Sequence, residues 1–436
     1  MSRCFPYPAA GLRGVQPMSA RAGERSPFAV LGHPQYRLLF VGSTLAMVAF
    51  GMMNVVQGVV AFHITGRNSA VGFVSLGQGL AMLLLGPLGG ALSDRISKRR
   101  LLLFAQGVIG AMFALIAILI LSGAVTIILL AAAALVMGCM FAIMGPARQA
   151  WIGDLLDGDQ LTAGVALQQL MMNATRIVGP LLAGLLIATE AFGTGGTYLV
   201  MAVVFAGVVG SLALMAPAPP RKKARPTSVA SDITEGLRYI AHNSEVRLLT
   251  LTFLGVVLSG FSYQTIMPGY LVNELGHPSS QLGLIFGTTA AGGIVTTLIL
   301  AGRRDGGDTR PLMFAFGVVL AAGLFLLSIA PGFLTALGIA VVVGVGSSGF
   351  QMLNNVNLMQ RADPRFFGRV MAVTMMAFGV NNIAAYPVGV LADGIGERAT
   401  MAFLAALCLA IVAAGFAASR FVRREHPVPE AEPATT

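Results

Sequence analysis

Charge is scarce in this chain, and where it clusters it suggests chemistry. The stretch GGALSDRISKRR, Gly89 to Arg100, sets one acid, Asp94, among four bases, Arg95, Lys98, Arg99 and Arg100. An aspartate just past an apolar run can accept hydrogen bonds from a helix N-terminus and favours its positive dipole end. Gly90, four residues earlier, lets two helices approach closely. The neighbouring bases can bind acidic partners or lipid headgroups. Such a loop would act as a latch between moving parts, and Arg148, at the end of a later apolar run, joins the set. A second place is Arg176, in the middle of an apolar run, where an ionisable group is costly and marks function by default. A guanidinium stays protonated, so Arg176 could attract an anionic substrate group or hold a carbonyl network, but it could not shuttle a proton. No Asp or Glu lies well inside any apolar run.

Catalytic chemistry finds no purchase. The five histidines are scattered and none shows His-Glu-x-x-His spacing. With three lysines in the chain, Lys98, Lys222 and Lys223, no Gly-Lys-Ser/Thr phosphate loop exists. Cys4, Cys139 and Cys408 are far apart, so neither a disulfide nor a metal site is expected. We expect no catalytic residues, no metal and no cofactor, and the chain does not read as an enzyme.

Uncharged polar residues inside apolar runs form the remaining candidates for substrate or coupling roles. They are Asn54 and Gln57, Gln169 and Asn173, Tyr263 and Gln264, Asn354 and Asn355, and Asn381 and Asn382. Together they make a neutral, amide-rich cavity plausible, although each alone suits an interhelical hydrogen bond. The 22 methionines add apolar surface that adapts to varied shapes.

The elements that must position these residues follow from composition. The chain has 436 residues, 56% hydrophobic and only 11% charged, with a mean hydropathy of +0.80. A soluble protein of this size needs far more polar surface. Apolar runs long enough to cross a bilayer as helices recur throughout. Twelve spans are expected, near 38–63, 71–92, 101–122, 124–147, 162–187, 197–215, 248–272, 282–301, 311–330, 334–357, 369–392 and 399–420. With the N-terminus inside, 25 of the 28 Lys and Arg residues fall on the inner side. That agreement with the positive-inside rule puts both termini in the cytoplasm. It also absorbs the net charge of +10 without any nucleic-acid partner.

The spans divide into two sets of six. LLLFAQG at 101–107 matches PLMFAFG at 311–317, an offset of 210, and Pro180 matches Pro387, an offset of 207. The expected organisation is a disordered cytoplasmic lead at 1–35, a six-helix bundle at 36–215, a linker at 216–247 and a second bundle at 248–421. A cytoplasmic tail follows at 422–436. The linker holds the Pro- and base-rich APAPPRKKARPTS and then a short amphipathic helix. Two such bundles would rock around a cavity at the membrane midplane.

The loop after the second span resembles the signature loop of the major facilitator superfamily, Gly-x-x-x-Asp-Arg/Lys-x-Gly-Arg-Arg/Lys. Ser97 stands at the second glycine and Lys98 at the first arginine. In the second half the matching loop is GRRDGGDTR, with Arg304 at the position of Asp94 or a slip to Asp305. GPARQAWIGDLL, RIVGPLLAG and RADPRFFGRVMAV resemble the bacterial branch that holds macrolide-efflux proteins and enterobactin exporters. In related drug/proton antiporters the fifth span carries a glycine motif ending Gly-Pro-x-x-Gly-Gly. Here Gly179, Pro180 and Gly184 match it and Ala183 departs from it. The resemblance implies an all-α twelve-helix fold and a monomer of the bacterial inner membrane. It also implies efflux of a small amphipathic molecule, such as a drug, a macrolide-like compound or a siderophore, by alternating access with protons as the coupling ion. A flippase for lysophospholipid or another lipid-like molecule is the alternative reading on the same fold.

Overall fold

In the computed structural model of the chain, residues 27–95, 97–156, 158–216, 229–302, 308–363 and 365–425 are described. Within these, the side chains of 86–95, 169 and 173 are among those left undescribed. The described chain is helical and contains no strand.

The first half holds six long helices: α1 (Pro34–Thr65), α2 (Asn68–Arg95), α3 (Lys98–Leu121), α4 (Ile127–Leu155), α5 (Gly158–Ala188) and α6 (Gly193–Ala213). After α7 (Val229–His242) the second half follows. It comprises α8 (Ser244–Gly260), α9 (Tyr263–Gly269), α10 (Leu282–Ala301), α11 (Arg310–Ser328), α12 (Phe333–Arg361), α13 (Phe367–Ile395) and α14 (Glu397–Glu425). Among the described residues, eleven segments are long and apolar enough to cross a membrane. The 31-residue α5, with its described apolar stretch Ala174–Ala188, makes the twelfth long helix. Helix α1 shows how the sequence sets an end. Pro34 occupies the first turn, the His33 ring accepts from the Tyr36 N–H at 3.4 Å, and Gly66 stops the helix at φ 64°.

The start of α1, the end of α6, the start of α8 and the end of α14 lie on one face of the helix array, here the terminal face. The α1–α2 turn and the α13–α14 turn lie on the far face. The two halves meet along two seams, α2 against α13 and α5 against α10. Glycine makes both seams possible. A Cβ on Gly72 would stand 2.3 Å from the Ala385 carbonyl oxygen, and one on Gly283 would stand 2.3 Å from that of Pro180. Lipid tails are as apolar as leucine, so close backbone approach of this kind holds membrane helices together.

The seventh span, read in the sequence as one segment, is broken. α8 ends at Gly260, α9 restarts at Tyr263, and a π turn over Tyr270–Glu274 completes the crossing. Gly260 is pressed against Leu320 and Cys408, and Pro268 withholds an N–H from the ladder. The freed groups are satisfied locally: Ser262 Oγ lies 2.7 Å from the Leu258 carbonyl and 2.9 Å from Asn381 Oδ1.

Candidate functional site

The candidate site is built where the halves separate. Residues 51–60 of α1 and 261–270 of the seventh span lie 210 apart and share one burial pattern, in which a single exposed residue, Asn54 or Gln264, is flanked by buried ones. One turn further toward the far face, Gly58 meets Pro268, whose Cγ lies 3.5 Å from an ideal Gly58 Cβ. Residues four apart share a helix face. Asn54 therefore looks toward the second half and Gln264 toward the first, and both are exposed, one turn to the terminal side of the contact between the halves.

Arg176 repeats this geometry on α5. Four residues on, Pro180 packs its carbonyl against Gly283 of α10, so Arg176 also faces the other half, one turn nearer the terminal face. It is exposed, and no carboxylate lies within ion-pair distance of it among the described residues. Gly179 carries the opposite contact, since a Cβ there would stand 2.8 Å from Gly51 Cα on α1. Gly179 and Pro180 thus pack α5 against its own half and the other half at once.

The remaining amides divide into satisfied and unsatisfied groups. Asn381 holds Ser262, and Asn382 packs on Gly79 of α2. Tyr263 is buried, with its hydroxyl beside Thr289 and Gln264. Among the described residues, Asn354 is fully buried with neither amide atom partnered, and Gln57 Oε1 and Asn355 Oδ1 are buried acceptors without donors. Unsatisfied groups of this kind are costly in an apolar interior and mark places where another polar group can enter. Gln169 and Asn173 lie outside the described side chains.

The latch residues read from the signature loop are only partly visible, because the side chains of Gly90, Asp94 and Arg95 lie outside the description. Lys98 pairs with Asp154 of α4, and Arg99 donates to the carbonyls of Leu212, at 3.3 Å, and Ala213 at the end of α6. Both bases thus tie helices within the first half. Arg148 is buried, and its Nε has no partner among the described residues.

The second half holds a charge cluster that sequence reasoning missed. Residues 303–307, where Arg304 and Asp305 were expected to echo Asp94, lie outside the described residues. Asp308 and Arg310, a few positions on, close a ring with Glu245 and Arg361. Arg310 reaches Asp308 at 2.8 Å and Glu245 at 3.1 Å, and Arg361 reaches the same two acids at 3.0 and 3.3 Å. Burial alone would raise the Asp308 carboxyl. The hydrogen bonds and charge of Arg310, with the charge of Arg361, outweigh this and hold it below the usual carboxylate range. Asp308 stands 210 after Lys98 and Arg361 stands 207 after Asp154. The same two positions carry an ion pair in each half, with the signs exchanged.

On the far face, Asp393, Glu274 and Glu397 read from the sequence only as span boundaries. In the structure Glu274 pairs with Arg398 at 2.7 Å, and Asp393 and Glu397 engage Asn68 of the first half. Among the described residues no group of three or more His, Cys, Asp or Glu is placed to hold a metal ion.

Two halves of long helices, a repeat offset near 210 and a matched pair of exposed amides beside their contact fit a transporter scaffold, and sequence comparison decides the family. Residues 39–385 match the Major Facilitator Superfamily. The chain belongs to that family. As a facilitator-superfamily protein it is a multi-pass membrane transporter of small molecules and not an enzyme. It is 25% identical over 391 residues to the Staphyloferrin A transporter of Staphylococcus aureus, covering 86% of this chain and 92% of that one. It is 27% identical over 403 residues to the multidrug efflux pump Tap of Mycobacterium tuberculosis, covering 89% and 93%. The enterobactin exporter EntS of Escherichia coli is 24% identical over 299 residues, covering 67% and 70%. Among solved structures, a bacterial homologue of the human lysosomal transporter Spinster superposes with a TM-score of 0.73 at 13% identity. That match covers 93% of this chain and 99% of the other, and it supports the fold.

Proposed function

We propose that this facilitator-superfamily chain is an exporter of the bacterial inner membrane. It moves a small amphipathic molecule of the drug or siderophore class outward by alternating access, in exchange for protons, as a monomer. The terminal face is the cytoplasmic face, on the strength of the Lys and Arg distribution. The loop of Gly90, Asp94 and Arg95 then serves as the cytoplasmic latch.

One observation carries this reading. On the terminal side of the contact between Gly58 and Pro268, Asn54, Gln264 and Arg176 are exposed toward the opposite half, and no carboxylate pairs with Arg176 among the described residues. A cargo entering from the cytoplasm would meet amides that accept varied partners and one fixed positive charge. That combination suits an amphipathic molecule bearing an anionic or strongly electron-rich group. Relatives named for siderophore and drug export agree with such a cargo.

The test is flux into proteoliposomes of defined orientation with an imposed pH gradient, using a labelled carboxylate siderophore and a cationic drug dye. Accumulation of either that collapses with the gradient supports proton-coupled export. Transport that ignores the gradient would remove proton exchange. Absence of flux for both cargoes, with no change in drug susceptibility on overexpression, would remove the export reading.

A further inference from the structure

The two seams between the halves are related by the internal repeat. Gly283 stands 211 after Gly72, and Gly389 stands 205 after Gly184. Each of the four is a point of close approach between halves. Among the described residues, however, carboxylate hydrogen bonds cross between the halves at only one of the two far-face corners.

At the α2–α13 corner, Asp393 receives the first backbone N–H groups of α2. Its Oδ1 accepts from Asn68 N at 2.7 Å and its Oδ2 from Ser69 N at 3.1 Å. A carboxylate from the second half thus caps a helix of the first, where the orphan donors and the positive dipole end favour it. Glu397 completes the corner. It is only 5% exposed, and its Oε1 accepts from Asn68 Nδ2 at 2.9 Å and from Asn273 Nδ2 at 2.7 Å. One donor comes from each half. No cation lies within ion-pair distance of either acid among the described residues, and Arg398, next in sequence to Glu397, is turned to Glu274. Gly269 lies against this group, since a Cβ there would stand 2.3 Å from Asn68 Oδ1 and 2.6 Å from Glu397 Oε1. Asn68 Oδ1 is itself buried and has no donor among the described residues. At the α5–α10 corner the equivalent positions are Ala188 and Ser279, and neither can reproduce the contact.

We infer that Asp393 and Glu397, acting on Asn68, form the latch that holds this transporter closed on its far face, and that this face opens at the α2–α13 corner. Carboxylate hydrogen bonds made across a moving seam, that of Glu397 buried and those of Asp393 at its exposed rim, stabilise one state and are lost in the other, so they bias the equilibrium between the two states. The inference rests on alternating access as proposed above, but on neither the cargo nor the coupling ion.

The test reads the far-face opening directly. In a background with Cys4, Cys139 and Cys408 replaced by alanine, Asn54→Cys reports access between the halves, and a membrane-impermeant maleimide is applied to the far face. Asn68→Asp sets a third acid beside Glu397 and Asp393 with little change of shape. It is expected to raise far-face labelling about fivefold or more, the population shift that follows loss of an ordinary buried hydrogen bond. Adding Glu397→Gln restores a donor to the new carboxylate and should return labelling toward the parent. Gly389→Ala tests the same corner by steric pressure, without replacing any polar side chain, because its Cβ would stand 2.5 Å from the Asn68 carbonyl oxygen. It should also raise labelling. Parent-level labelling in Asn68→Asp and Gly389→Ala, in protein that elutes as a single species, would overturn the latch, as would failure of Glu397→Gln to reverse Asn68→Asp. The assay needs no substrate, so absent flux with shifted labelling would remove the export reading and leave the latch standing.

Discussion

Pro268 faces Gly58, its Cγ 3.5 Å from where a Gly58 Cβ would stand, and the two are separated by 210 positions, the offset of the internal repeat. Two residues that are copies of one another meet only if the repeat axis passes between them. This contact therefore marks the centre of the molecule. Asn54 and Gln264 are the copies one turn below it, which makes them a matched pair of amides facing one space.

Removing either amide should weaken cargo binding to a similar degree. Asn54→Leu and Gln264→Leu are each expected to raise KM for transport by about two- to tenfold, the range that one net hydrogen bond supplies. Concentration-dependent flux into vesicles checks this, with thermal stability as the control for folding.

Arg176→Ala should reduce transport of an anionic cargo by about tenfold or more, the loss of one charge-assisted hydrogen bond, while flux of a cationic cargo falls much less. Arg176→Lys should recover only part of the anion flux, because an ammonium lacks the planar fork. Equal losses for both cargoes would mean that Arg176 supports structure and not recognition.

Gly179→Ala should destabilise the protein by about 1–3 kcal/mol, the cost of overpacking. Its Cβ would stand 2.8 Å from both Gly51 Cα and the Val48 carbonyl, and backbone cannot move aside cheaply. Gly145→Ala is the control. No atom lies within 4 Å of its added methyl, and alanine is the better helix former. Thermal unfolding in detergent should separate the two variants clearly.

Acid should loosen the terminal face of the second half. The Asp308 carboxyl is held low in the folded protein, so its stabilising contribution is complete above the unfolded value of about 3.9 and is lost as pH falls through the lower folded value. A melting-temperature profile from about pH 7 to 3 should fall on its acid side, and Asp308→Asn should start lower and show a shallower acid limb.

Reversing one member of the α3–α4 ion pair should cost stability, and reversing both should restore most of it. Lys98→Asp sets two acids together and is expected to cost about 2 kcal/mol, between the limits for exposed and buried pairs. The double variant Lys98→Asp with Asp154→Lys adopts the arrangement that Asp308 and Arg361 already use in the other half.

Much of the architecture was legible in the sequence, because lipid imposes simple rules. Apolar length marked the spans, and the repeat offset related the third span to the ninth and the fifth to the eleventh. The break in the seventh span was not legible. Gly260 and Pro268 are unremarkable inside an apolar run, and only the press of Leu320 and Cys408 on Gly260 shows why the chain turns there. Arg176 stood out because a charge in an apolar run is rare, whereas Asp393 and Glu397 did not, because acids at span ends are ordinary. Hydropathy says how deep a residue lies and nothing about which neighbour it faces. The ring of Asp308, Arg310, Glu245 and Arg361 escaped for the same reason, since its members come from separated loops and helix ends.

The exchanged signs of the two terminal-face ion pairs also limit how the halves can be recombined. A chimera that moved α3 alone into the place of α11 would set Lys98 against Arg361, and one that moved α4 alone into the place of α12 would set Asp154 against Asp308. Each adjoining helix pair, α3 with α4 or α11 with α12, must therefore travel together. The smallest portable piece of this protein is a hairpin of two spans.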